Sequence, residues 1–507
     1  MELSRDMMEE NPTAFEGEIT VASRIVDQLS SGLYESPAAC LKELINNSFD
    51  ADARHVRVLI KPDADRIIIE DDGHGMNKKD FVRHFTKISE SYKREDGDRT
   101  ASGRKKIGKI GIGFIAANEI CDTMEILATK TGSTELLHVE IAFDRMREDP
   151  ATRRRANSAV AKGDFRGEVL TASKNDHYTQ VILKRVRVNA QKLFAGETNV
   201  MQDETPRTLY GLRAESVLKA LADPTLTSWS EFDTYSQNLL KVALNVPVAY
   251  PDGWVPSHIS KAVRPFMEAV AKQGFEVSYD GTPLRKPIVL RVVPERKCLV
   301  SRFDFKGEHV GATGYFYAQH GVVRPQELHG LLLRIRHAAV GEYDPSFLGF
   351  SPSEGSLIQR WISAEVYADD RLEDALNIDR KTLRVAHPAY LELQAAIHAH
   401  LTKVIGRARA DLYDVGSEER KAVKTGDAVA DIRAIATVAG KSVGVATANK
   451  LVATWSGASR DSHLSKALLR KFSVVELYRL VLDVATDTLP PELVAKFVRK
   501  LTERLSK

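Results

Sequence analysis

Cysteine is scarce in this 507-residue chain: Cys40, Cys121 and Cys298 stand alone, with no pairing and no CxxC spacing. That excludes a disulfide framework and fits a reducing compartment. Charge of one sign is also missing. A net charge of +3 with an ordinary apolar fraction implies neither disorder nor a strong field for nucleic acid. No apolar run is long enough to span a bilayer, so no membrane partner is expected. No signal-peptide pattern opens the chain, and a cytoplasmic location is the expectation. Internal repeats and low-complexity tracts are absent. What remains is an ordinary aqueous composition and a length that predicts about three domains.

Three motifs stand out against that plain background. The first is LKELINNSFDADA, Leu41 to Ala53. On a helix, Glu43, Asn47 and Asp50 fall at i, i+4 and i+7 and share one side. Leu41, Leu44, Ile45 and Ser48 gather on the other side, which can pack on a sheet. The Asn47 amide oxygen is a ligand type that Mg²⁺ accepts while it keeps waters and binds phosphates. Glu43 can accept a proton from a water attacking a phosphate. Taken alone, the pattern also describes a surface helix with solvated acids.

The second motif is RIIIE followed at once by Asp71-Asp72-Gly73-His74-Gly75-Met76. The β-branched run predicts a buried strand. An ionised carboxylate at its end only accepts hydrogen bonds and can read an exocyclic amine such as adenine N6. Gly73 and Gly75 let the backbone turn sharply and approach a planar base. Standing alone, the motif is equally the Asp-Gly turn of a hairpin. His74 has no second His or Cys at ligand spacing and reads as an exposed loop residue.

The third motif runs Gly108-Lys109-Ile110-Gly111-Ile112-Gly113-Phe114 into a helical stretch. A Gly-rich turn feeding a helix N-terminus presents N–H groups and a positive dipole end to phosphates. Lys109, Lys105 and Lys106 are candidates for added charge. No Gly-Lys-Ser/Thr follows, so this is not the Walker pattern. Between the second and third motifs, Ser89 to Lys106 is polar and lacks apolar periodicity, which predicts a mobile loop of lid composition. Farther on, HYTQVILKRVR predicts a strand beginning near Thr179, a residue that strand propensity alone would also explain.

In this order and spacing, the motifs resemble the nucleotide-binding fold shared by gyrase, Hsp90, histidine kinases and MutL (the GHKL superfamily), and most nearly its Hsp90-like branch, over residues 18–190. The resemblance implies an ATPase with ATP and Mg²⁺ as ligands. Glu43 would be the general base, Asn47 the Mg²⁺ ligand and Asp71 the adenine reader. Asp50, Gly73, Gly75 and Met76 would line the base pocket. Gly108, Lys109, Gly111, Gly113 and Phe114 would form the phosphate segment. Thr179 would hold Asp71 through a water, and Ser91-x-Lys93 resembles a lid element of bacterial relatives. Ser48-Phe49 departs from the small residues common there, so Phe49 is expected to reshape the back of the pocket.

The resemblance extends beyond that region. Residues 310–345 read as strands joined by turns, and Leu376-Asn377-Ile378-Asp379-Arg380-Lys381 resembles the Hsp90 middle-domain pattern Leu-Asn-Ile-Ser-Arg-Glu. By that resemblance Arg380 stabilises charge on the terminal phosphate, as an arginine finger does. An exposed Arg in a helix-start loop is the alternative. Asp379 and Lys381 differ from the family pattern.

The expected fold class is α/β (α+β). A Bergerat-type ATPase sandwich occupies 1–190, a helical connector 191–250, a transducer-like middle domain 251–412 and a helical C-terminal region 413–507. Arg145 to Asn175, with three consecutive arginines, reads as a charged surface loop. After Pro490-Pro491, the final segment carries Leu493, Val494, Phe497, Val498, Leu501 and Leu505 at helical spacing, a face for its own domain or for a homodimer. No phospho-acceptor His helix precedes the motifs, against a histidine kinase. The expected function is an ATP-hydrolysing, Hsp90-like conformational machine that remodels a protein client through dimer closure. The alternatives are a DNA-associated clamp of the MORC or MutL kind and an ATP-gated scaffold with negligible turnover.

Overall fold

The computed structural model of the chain describes residues 36–60, 64–85, 97–108, 113–144, 165–174, 176–196, 206–251, 257–289, 298–351, 356–377, 380–414 and 474–505. It divides into two compact units, one ending at Ala408 and one beginning at Arg409.

The first unit opens with helix α1 (Pro37–Asp50), where Pro37 supplies a preset φ at the first turn. Leu41, Leu44, Ile45 and Phe49 are buried along it. Strands β1 (His55–Leu59) and β2 (Arg66–Asp71) follow, then helix α2 (Lys78–Phe85) and a 3-10 helix over Gly113–Glu119. Next come β3 (Cys121–Thr129), β4 (Glu135–Ala142), β5 (Phe165–Thr171) and β6 (Tyr178–Val186). Helices α3 (Val188–Ala195), α4 (Ala214–Leu221), α5 (Thr234–Asn245) and α6 (Ser257–Ala271) lead to β7 (Glu276–Tyr279) and β8 (Thr282–Pro283).

These eight strands make one sheet in the order β5-β4-β3-β6-β2-β1-β7-β8. Side-chain alternation sets its faces. In β2 the period that buries Ile67 and Ile69 also buries Asp71, so a carboxylate ends up inside by the same rule that fills the core. Asp71 lies opposite Thr179 of β6 and Val56 of β1.

The remaining strands of this unit are β9 (Cys298–Lys306), β10 (Gly311–Gln319), β11 (Gly330–Ile335), β12 (Ala338–Asp344) and β13 (Ile362–Ala368). They form a second sheet, ordered β12-β11-β13-β10-β9, with helix α7 (Pro388–Ala408) against β9 and β10. Helix α5 contacts α1 and also β12. One continuous apolar core runs from Leu41 and Ile69 through Leu239 and Val242 to Leu332 and Ala338.

Two expected boundaries differ. Residues 276–283, assigned to a middle domain by their position after 251, extend the first sheet because β7 pairs parallel with β1. Part of the expected charged loop is the edge strand β5, paired with β4 and exposed on both faces. A strand exposed on both faces has no alternation of buried and exposed residues to betray it. Arg153, Arg154 and Arg155 lie outside the described residues.

In the second unit, α8 (Val474–Thr488) packs on α9 (Pro491–Leu505). Ala485 and Val498 are buried, while Val484, Leu493 and Phe497 are exposed. The stripe expected on the last helix is therefore divided between an inner and an outer face. Among the described residues, no helix is long and apolar enough to cross a membrane.

Candidate nucleotide site

Helix α1 is buried along most of its length, and Glu43 and Asn47 are the two residues on it left half-buried. Their tips converge on Gly113, the first residue of the 3-10 helix. A Cβ at Gly113 would lie 3.4 Å from Glu43 Oε2 and 3.5 Å from Asn47 Nδ2. The i, i+4 pair and the end of the Gly-rich turn thus share one small space. Phe114 backs it, 4.9 Å from Phe85, which stacks on Phe81.

Asp71 sits at the other end of the site. Its Oδ2 accepts from Ser48 Oγ at 2.7 Å and its Oδ1 from the Gly73 N–H at 2.9 Å. Burial outweighs both donors and pushes this carboxyl up to about 6. The next residue, Asp72, faces outward and holds the Arg54 and His55 N–H groups, which keeps its carboxyl low despite partial burial. Alternation along the strand thus assigns one acid to the interior and its neighbour to the turn.

Glycine is required at two positions beside Asp71. A Cβ on Gly73 would lie 2.7 Å from Ala51 O, and one on Gly75, at φ +68°, would lie 1.7 Å from Thr129 O. His74 is exposed, as expected of a loop residue. Met76 is half-buried against the core and Thr179 is buried opposite Asp71.

Asp50 is placed differently from its expected position at the base pocket. Its carboxylate accepts the N–H of Ile107 at 2.6 Å and of Gly108 at 2.9 Å, so it anchors the start of the Gly-rich turn. Phe49 packs edge-on against Phe275 at 5.2 Å with Arg104 over its ring, away from Asp71. Lys93, Lys109 and Gly111, together with Ser91, lie outside the described residues.

The second half of the expected mobile loop is firmly held. Ser102 donates to Asp52 through both its N–H and its hydroxyl, and Arg104 donates to the carbonyls of Ala53 and Gln273 at 2.6 Å. Lys105, a candidate for phosphate charge, pairs with Asp370 at 2.5 Å. Arg336, at the turn between β11 and β12, joins Asp370 and Glu373 at 2.9 and 3.0 Å and donates to Lys106 O. Polar residues far apart in sequence fasten this segment, which is why its composition alone reads as loop.

Arg380 stands at the end of that ionic chain, with Nη2 3.8 Å from Glu373 Oε1. Its φ of +52° is left-handed, in a loop closed by Asn377 donating to Thr382 from both backbone and side chain, at 3.0 and 2.8 Å. Lys42, a residue that motif reading passes over, connects this loop to α1. Its ammonium is buried 3.4 Å from Glu43 Oε1. Burial lowers its pKa, Glu43 opposes that, and Arg380 and Lys381 are near enough to lower it further. Arg380 therefore lies in the electrostatic neighbourhood of Glu43. Ser48, read from sequence only as part of the packing face and of a departure from the family pattern, gains its bond to Asp71 from how α1 lies on β2.

Residues 34–179 match the family model described as histidine kinase-, DNA gyrase B- and HSP90-like ATPase. This segment is a GHKL ATPase domain of the Hsp90-like type. The ATPase domain has similarity to a putative type II restriction enzyme, HgiDII, of Herpetosiphon aurantiacus, 36% identical over 115 residues, covering 23% of this chain and 18% of that protein. It is also similar to the chaperone protein HtpG of Bacillus subtilis, 28% identical over 143 residues, covering 24% of this chain and 22% of the relative. HtpG of Bacillus licheniformis is 29% identical over 162 residues, covering 27% and 26%. The matched stretch spans roughly a fifth to a quarter of each relative's length.

The residues of the ATPase domain suit ATP. A buried acceptor beside two obligatory glycines fits a planar base with an exocyclic amine, and Glu43 with Asn47 fits the phosphate end. Among the described residues no group of three His, Cys, Asp or Glu is arranged to hold a metal, and Mg²⁺ ordinarily takes one or two protein ligands plus substrate phosphates. The Asn47 side chain carries an amide oxygen, a donor type that suits Mg²⁺.

Proposed function

We propose that the chain binds and hydrolyses ATP and uses the cycle to change shape, as an Hsp90-like conformational machine. The observation that carries this reading is the convergence of Glu43 and Asn47 on Gly113 with Arg380 close to the Lys42–Glu43 pair. Asp71 accepts the adenine amine, and the Gly73 and Gly75 backbone lies against the base. Asn47 offers its amide oxygen to Mg²⁺, which would neutralise phosphate charge when bound. Glu43 takes the proton of the attacking water. Arg380, supplied by the second sheet's loops, stabilises charge on the terminal phosphoryl group as it passes to water and ADP leaves.

The test is a split between binding and turnover. Glu43→Ala is expected to lower turnover about 10²–10⁴-fold while ATP still binds. Arg380→Ala in the full chain is expected to lower it about 10²–10³-fold, again with binding retained. Loss of calorimetric ATP binding in step with turnover would remove both assignments.

Protein remodelling through closure of a two-fold dimer is the favoured use of the cycle, supported by the HtpG relatives. The exposed Leu493 and Phe497 on α9 are the proposed constitutive contact. The restriction-enzyme relative supports a second reading, a DNA-associated clamp. Turnover stimulated by duplex DNA with a steep salt dependence would select the clamp. Stimulation by an unfolded protein, with no DNA binding, would select the remodeller. Light scattering with and without a non-hydrolysable analogue reads the oligomer.

A further inference from the structure

A cavity of about 320 Å³ opens beside the first turn of α1, lined by Ser36, Lys42, Lys241, Asn245, Lys381 and Thr382 among others. It is separate from the face that carries Glu43 and Asn47. Successive helical residues are rotated by about 100°, so Lys42 points around α1 from Glu43, and Ala38 and Ala39 share its side of the cavity.

Its chemistry is cationic. Lys42 is buried, Lys241 comes from α5, and Lys381 adjoins Arg380. The acids nearby do not hold these ammonium groups tightly. Lys42 is 3.4 Å from Glu43 and Lys241 is 3.3 Å from Glu342, the one acid in the wall among the described residues. Charge-assisted hydrogen bonds ordinarily close to about 2.7–2.9 Å, so both pairs are loose enough for the lysines to turn to an anion. The positive end of the 14-residue α1 adds to the same field. Burial and the neighbouring cations both depress the Lys42 pKa, a cost that a bound anion would relieve.

The lining also restricts the ligand. Among the described residues, it contains no aromatic ring to stack a base and no carboxylate apart from Glu342. The volume is at the small end of ligand pockets, which span about 300–1,000 Å³. A compact tetrahedral oxyanion fits these features and a second nucleotide does not. We propose that this cavity binds inorganic phosphate and receives the phosphate leaving the Glu43–Arg380 site. The product assignment rests on the hydrolysis proposed above, whereas binding of phosphate does not.

The test uses the full chain, inorganic phosphate as the probe, and calorimetry or phosphorus NMR in the presence of a saturating non-hydrolysable ATP analogue. Phosphate is expected to bind alongside the analogue, and Lys241→Met to weaken it roughly tenfold or more, with Lys241→Arg retaining most of it. The analogue's own affinity, measured on the same variants, reports whether they remain folded and nucleotide-competent. Displacement of phosphate by the analogue, or equal binding in Lys241→Met, overturns the site. Failure of the analogue to bind at all would strike the nucleotide reading and leave the phosphate titration interpretable. In single-turnover reactions, phosphate release is expected to lag cleavage, with the lag shortened in Lys241→Met. An unchanged lag overturns the product route.

Discussion

Two carboxylates are sunk into the two sheets of the first unit, and their surroundings treat them in opposite ways. Glu365, on β13, accepts from Arg334 Nε at 2.5 Å and from the hydroxyls of Tyr250 and Tyr315 at 2.8 Å. Burial pushes its pKa up, but Arg334 and these donors more than offset it and hold the carboxyl low. Arg334 also donates to Leu244 O at the end of α5, and the buried Lys286 donates to Val246 O just beyond. Among the described residues Asp71 has a hydroxyl and one N–H but no ion pair, and a pKa raised to about 6. A buried acid with its charge answered belongs to the framework. One left short of donors is suited to a donor that arrives with a ligand.

The largest expected effect lies on the completed side. Arg334→Met strips Glu365 of its counter-charge and should cost roughly 3–5 kcal/mol of stability, read by chemical denaturation. Asp71→Asn should cost the apoprotein little stability, because it removes a buried charge that has no ion pair among the described residues. A comparable loss in both variants would erase the distinction.

Next in size is Gly75→Ala. Its Cβ would meet Thr129 O at 1.7 Å in a left-handed conformation, so the turn beside Asp71 must shift. A loss of about 1–3 kcal/mol in stability together with weakened nucleotide binding is expected. Gly97→Ala has no nearby atom to meet and separates backbone strain from the clash, since its φ is also positive.

The smallest effect is in pH. The folded-state value of Asp71 is raised from 3.8 to about 6, so the folded apoprotein binds this proton more tightly than the unfolded chain. The penalty is fully present above the folded value and is relieved as pH falls towards the unfolded one. This residue should therefore make the apoprotein slightly more stable at about pH 5 than at about pH 7. Nucleotide affinity should move the other way, because an amine donor needs the ionised carboxylate. Both trends should vanish in Asp71→Asn, as followed by thermal midpoints and calorimetry at the two pH values.

Much of this contrast was legible in the sequence. The β-branched run RIIIE predicted β2 with Asp71 at its end, and helical spacing predicted Glu43 and Asn47 on one face of α1. The turn glycines and the strands of residues 310–345 were readable for the same local reasons. What escaped was non-local. Asp50 was assigned to the base pocket by resemblance, yet its oxygens meet Ile107 and Gly108, 57 and 58 residues on. The parallel pairing of β7 with β1 gives no local signal either, and with the core residues of α5 it carries the first domain past its expected end at 190. Arg334 and Arg336 likewise carry no local signal, since the sheets, α5 and the segment after β13 bring acids and carbonyls to them.

The most direct measurement is calorimetric titration of a non-hydrolysable ATP analogue into the wild-type full chain and Asp71→Asn at neutral pH. A hydrogen bond to a buried charge is worth about 1.5–3 kcal/mol, so the variant should bind roughly 10- to 100-fold more weakly while its unfolding midpoint stays near that of the wild type. Equal affinity in the two proteins would contradict the assignment of Asp71 as the base-reading acceptor, and with it the nucleotide site built around it.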